Sequence, residues 1–257
     1  MPLLTPEYTW GFLLILFRTS GLLVSAPMLS HKAIPAQARI GLAVFLALVM
    51  VPLQAEHLPA APVDLAHMVA GVLSEALFGL ALGLAMQLVF TGMQMGSHIL
   101  GVQMGFGLGS VYDPITGAQF GAFDQFYAVL VALVFFGMNG HHIVIQAFAE
   151  TLRAVPPGTW NPLVLQASGI AGLASGLMIT AVRVAMPIVV ALFLTDVGMG
   201  FVAKTVPQAN ILVVGMPLKI GVGLLVLMAA LPATSSLMQA VIGGPLTGSS
   251  ERLLGVS

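Results

Sequence analysis

The sequence contains no cysteine and very little charge. The first absence excludes disulfides and thiolate chemistry, whether catalytic or metal-binding. The second is a matter of degree: charged residues make up 7% of the 257 residues, against roughly 25% in an ordinary soluble domain. Eight Lys and Arg face nine Asp and Glu for a net charge of −1. The cations stand singly, without the clustered basic footprint that nucleic acid requires. No Gly-Lys-Ser/Thr phosphate loop, G-x-S-x-G elbow or H-E-x-x-H pair occurs, and the glycines near residue 105 do not have G-x-G-x-x-G spacing. His141 and His142 are adjacent, and neighbours on a helix diverge by about 100°. They therefore read as polar groups at a helix end rather than a metal pair. No enzyme, cofactor site or metal site is read from this chain. No basic n-region followed by an A-x-A-like site marks a secretory leader, so Met1 onward is expected in the mature protein.

What remains is apolar. Hydrophobic residues account for 58% of the chain, and the mean hydropathy is +1.04. The class is an integral membrane protein, all-α, with about six hydrophobic segments. These are Trp10–Val24, Ile40–Leu53, Val69–Val89 with a continuation to Leu100, Phe123–Met138, Ile170–Leu194 and Ile211–Leu231. Linkers are read at 25–39, 54–67, 154–162 and 195–210. Several segments are shorter than the ~20 residues of a plain span or carry a proline, so broken helices and hairpins are expected. The first linker is basic (Lys32, Arg39) and the second acidic (Glu56, Asp64), which places them on opposite membrane faces by the positive-inside rule. Pairs such as Gly79/Gly83 and Gly172/Gly176 let helix backbones approach closely. Fifteen methionines suit either deformable packing surfaces or a lipid-facing exterior.

Four charges lie inside apolar runs: Arg18, Glu75, Arg183 and Lys219. Each costs about 2.5–3.5 kcal/mol at the centre of an inserted helix, so each needs a partner, a cavity or a place outside lipid. A structural subunit would pair them between helices or between subunits, whereas a transporter would use them as a relay. The structural reading is preferred because four isolated charges do not form a spaced relay.

The remaining oddity is 101-GVQMGFGLGSVYDPITGAQFG-121. Its glycines break helix, yet Met104, Phe106, Leu108 and Tyr112 are too bulky and apolar for a solvated loop. Irregular backbone at membrane depth is tolerated only where protein buries it or water lines it. A pore-facing or re-entrant loop fits, and so does a buried connecting hairpin. Asp113 before Pro114 suits an Asx-turn at the base of the loop, or a salt bridge to a neighbouring subunit.

Three stretches, 109-GSVYDPITGAQ-119, 137-GMNGHHIVIQAF-148 and 195-TDVGMGFVAKTVPQANILVVGMPLKIGVGL-224, together with Ala26-Pro27, Pro35 and Arg39, resemble the FliR/SctT family of type III secretion export-gate proteins. The likeness covers about residues 10 to 235 and fits the flagellar branch best. Asp113-Pro114 with Gly117, Pro207-Gln208 with Asn210, and Pro217 with Lys219 carry it in combination. The resemblance implies a single export-gate domain over 1–257, with a C-terminal tail at about 244–257. It also implies hairpins packed around a pore, and a plug loop at about 105–121 comprising Met104, Gly105, Phe106, Gly107, Leu108, Gly109, Tyr112, Asp113, Pro114 and Gly117. The partners implied are FliP-like and FliQ-like subunits, FlhB- and FlhA-like proteins, unfolded export substrates and membrane lipid. The location implied is the bacterial inner membrane at the flagellar basal body. A virulence-injectisome subunit of the SctT type is the near alternative. A secondary transporter is the distant one, disfavoured by the absence of an internal repeat and of convergent polar groups.

Overall fold

Thr5 opens the first helix. Its Oγ1 accepts the Tyr8 N–H at 3.5 Å, Pro6 takes the first helical position and Glu7 puts negative charge in the first turn. Each feature satisfies or complements a helix N-terminus. The structure, a computed structural model, describes residues 5–30, 34–106, 121–160, 167–205 and 211–244. These form α1 (Pro6–Ser25), α2 (Ala36–Leu53), α3 (Leu65–Gln103), α4 (Ala122–Gly137), α5 (Gly140–Ala154), α6 (Ala167–Thr205) and α7 (Ile211–Gly244), with one 3-10 turn at Ala55–His57. No strand occurs among the described residues.

The all-α class holds, with differences in how far helices run. The segment expected to link at 195–210 is helical through Thr205, and the last helix continues past Leu231 and Pro232 to Gly244. Pro187, Pro217 and Pro232 all lie inside helices. Each removes a single N–H, whereas unwinding in apolar surroundings would strand several backbone groups. A helix not read from the sequence, α5, follows Asn139, which turns the chain in the left-handed region at φ 56°, a conformation asparagine tolerates. Among the described residues, α1, α2, α3, Ala185–Thr205 of α6 and Val214–Ser236 of α7 are long and apolar enough to cross a membrane. Phe123–Gly137 with Gly140–Ala154 makes a sixth candidate, bent by 65°.

The chain divides into two compact units. One comprises Met1–Phe90, Gly140–Ala174 and Ala240–Ser257; the other comprises Thr91–Asn139 and Ser175–Gln239. In the first unit α1 packs on α2 and meets α3 backbone to backbone. A Cβ on Gly79 would collide with the Arg18 carbonyl, one on Gly83 with Ser25 Oγ and the Leu22 carbonyl, and one on Gly21 with the Ala76 carbonyl. The Gly79/Gly83 pair thus serves a contact inside the chain. Leu14, Ile15, Leu22, Phe78 and Leu82 are buried about it. In the second unit Phe123, Tyr127 and Val131 line the buried side of α4, and Met104 fills the space left by Gly223 of α7.

Candidate gate site

The chain leaves α3 through a glycine-capped turn. Gly105 has φ 90°, a region in which a Cβ is strained. The Gly105 N–H donates to the Val102 carbonyl at 3.1 Å and the Phe106 N–H to the Gly101 carbonyl at 2.9 Å. This pair of bonds is the Schellman arrangement, which satisfies the last carbonyls of a helix. Phe106 then stacks on Phe123 of α4, with ring centroids 5.7 Å apart and planes 20° apart. Such a pair contributes about 0.5–1.5 kcal/mol beyond its buried area.

The chain returns at Gly121, where Asp124 fixes the start of α4. Asp124 Oδ2 accepts the Gly121 N–H at 3.1 Å, as an acidic group in the first turn of a helix can. Across on α3, Ser97 Oγ donates to Asp124 Oδ1 at 3.1 Å, and His98 Nδ1 lies 3.1 Å from Asp124 Oδ2. The segment between Phe106 and Gly121 is therefore held at both ends against one helix pair. Of the expected plug residues, Met104 is fully buried, Gly105 forms the turn and Phe106 makes the stack. Gly107, Leu108, Gly109, Tyr112, Asp113, Pro114 and Gly117 lie outside the described residues. An open cleft of about 510 Å³ adjoins the turn, lined by Gln103, Met104, Asp196, Met199, Met216 and Lys219 among others.

The structure brings two of the four apolar-run charges together. Arg18 and Glu75 form a fully buried pair through Arg18 Nε and Glu75 Oε2, with a second bond from Nη2 to Oε1 at 3.0 Å. Arg18 Nη1 donates to the Val155 carbonyl at 2.9 Å, the Phe78 ring lies 4.3 Å under the guanidinium, and Glu75 Oε1 accepts the Gly158 N–H at 2.7 Å. This network ties α1, α3 and the turn after α5 into one body. Lys219 pairs instead with Asp196 at 2.5 Å, a half-exposed bridge between α7 and α6. Arg183 is exposed on α6 and has no ion-pair partner among the described residues. Sequence reading missed Asp124, Ser97, His98 and Asp196. For Asp124 a local signal exists, an acidic residue three places after a helix-starting glycine; the others are marked only by three-dimensional contact.

A polytopic helical membrane protein with a glycine-turned, two-ended clamp between α3 and α4 is the class this geometry defines. The family model described as "Bacterial export proteins, family 1" matches residues 9–244, and the chain belongs to that family. It is 34% identical over 224 residues to the flagellar biosynthetic protein FliR of Bacillus subtilis (strain 168), covering 86% of each chain. It is 30% identical over 230 residues to FliR of Pectobacterium carotovorum subsp. carotovorum, covering 88% of this chain and 84% of the relative. The secretion system apparatus protein SsaT of Salmonella typhimurium (strain LT2) is 21% identical over 164 residues, covering 63% of this chain and 62% of that protein.

Proposed function

We propose that the chain is a non-enzymatic subunit of the flagellar protein export gate in the bacterial inner membrane. In this reading it assembles with FliP-like and FliQ-like subunits, beside FlhB- and FlhA-like proteins. Its 105–121 segment acts as a plug on the path of unfolded substrates. The clamp carries this reading: an apolar, glycine-rich segment is fixed at both ends, by the Gly105–Phe106 turn on Phe123 and by Asp124 on Gly121. A loop anchored in this way can seal a channel with bulky side chains and be displaced without unfolding either helix. The similarity to flagellar FliR proteins over most of the chain supports the assembly.

The test uses cells expressing the complete export complex, with membrane leakage to small solutes and export of flagellar substrates scored in parallel. Shortening the loop, or Phe106→Ala with Leu108→Ala, is expected to raise leakage while the complex still assembles. Unchanged leakage from an assembled complex lacking 106–112 would leave the segment a connecting hairpin. The likeness to SsaT favours one second reading, an injectisome subunit. Restoration of motility in a strain lacking its flagellar homologue, without restoration of injectisome secretion, separates the two.

A further inference from the structure

One face of α6 has the spacing of a helix–helix seam and lies uncovered among the described residues. Ile179, Arg183, Met186, Val190, Phe193 and Val197 follow one another at alternating steps of four and three, and all are exposed. That spacing keeps one stripe facing a partner helix, over roughly 27 Å at 1.5 Å per residue. The next position in register is Gly200, also exposed, where a Cβ would meet nothing within 4 Å. A glycine there leaves a notch into which another backbone fits.

Arg183 decides what covers this face. Its neighbours one turn away, Ile179 and Met186, and its sequence neighbour Val182 are exposed apolar groups, and hydrocarbon does not solvate a guanidinium among them. α2 makes the contrast. Its exposed face, including Ile40, Phe45, Leu48 and Leu53, bears no charge from Ile40 to Leu53, as a lipid-facing surface should. A second copy in parallel register would set two Arg183 side chains against each other, and Asp196 is already paired with Lys219.

We propose that the Ile179–Gly200 face of α6 docks one helix of a different subunit, apolar along its own seam and carrying a carboxylate level with Arg183. This rests on the assembly reading above and specifies which surface makes the contact. Guanidinium and carboxylate, desolvated together, form a two-pronged pair that fixes register as well as contact.

The test places a genetically encoded photo-crosslinking residue at Val190, with Leu48 on α2 as the lipid control, in the complete complex in native membranes. The expected result is a Val190 crosslink to another subunit, within a helical segment that has an Asp or Glu within one turn, and lipid products alone at Leu48. Arg183→Glu is then expected to lower the yield of co-purified complex by about tenfold or more, and reversal of that carboxylate to Lys to restore it. Lipid-only products at Val190 would overturn the proposal, the outcome expected if Arg183 serves a lipid phosphate. A crosslink to a second copy, or to a segment without a carboxylate, would also overturn it, as would an unchanged yield with Arg183→Glu. If the chain co-purifies with flagellar subunits yet Val190 meets only lipid, the seam fails and the assembly reading stands. If no flagellar subunit co-purifies, the assembly reading fails, while the products at Val190 still report protein or lipid.

Discussion

Arg18 and Arg183 are both arginines inside apolar helices, and the protein treats them in opposite ways. Arg18 is fully buried, paired with Glu75, bonded to a carbonyl after α5 and stacked on Phe78. Arg183 is exposed on α6 among apolar neighbours. The unit holding Arg18 closes this buried pair within one chain, and close-packed glycines bring α1 and α3 together there. The unit holding Arg183 leaves that guanidinium exposed, and its Asp196–Lys219 bridge is partly solvent-exposed too. On the proposal above, the difference separates a unit that closes its buried ion pair itself from one that a neighbouring subunit completes.

The largest effect is expected from breaking the buried network. Glu75→Gln leaves a buried guanidinium without its counter-charge, which costs about 3–5 kcal/mol. Thermal unfolding of the purified chain in detergent should show it, and Arg18→Met combined with Glu75→Leu should recover part of the loss. If Glu75→Gln unfolds like the wild type, the network does not hold the unit together. Next comes Gly79→Ala, whose added methyl meets the Arg18 carbonyl rather than a side chain able to move. Backbone displacement of this kind costs about 1–3 kcal/mol, read in the same melts. Asp124→Ala removes the bond to the Gly121 N–H and the contacts to Ser97 and His98. A loss of about 1 kcal/mol is expected, accompanied by faster protease cleavage between Phe106 and Gly121; unchanged cleavage would mean that the clamp does not depend on this carboxylate. Lys219→Met is expected to cost the isolated chain no more than about 1 kcal/mol, the range for exposed pairs. A loss as large as that of Glu75→Gln would erase the contrast between the units.

Much of this architecture is legible in the sequence, because an apolar run longer than a bilayer leaves little choice but helix. α1, α2 and the long α3 read directly from hydropathy, as did a glycine-rich break, expected from Gly101 and found after Gln103. The 195–205 stretch did not, because Thr195, Asp196, Gly198 and Gly200 look like a linker when propensity is weighed in water. In apolar surroundings the backbone keeps its helix regardless. Pairing was illegible for a different reason: Arg18 and Glu75 are 57 residues apart, and nothing local in either segment names the other. Gly105 was singled out within a run of glycines, but its role as the turn after α3 follows only from its positive φ and the two bonds around it.

Hydrogen–deuterium exchange on the chain alone in detergent and within the membrane-extracted complex tests the contrast most directly. Backbone amides around Arg18 and Glu75 should exchange at the same slow rate in both samples, since that unit's protection comes from the chain itself. Amides from Ile179 to Val197 should slow by about tenfold or more in the complex. Equal protection of α6 in the two samples, or protection of the Arg18–Glu75 region that appears only in the complex, would contradict the division into a self-contained half and a completed one.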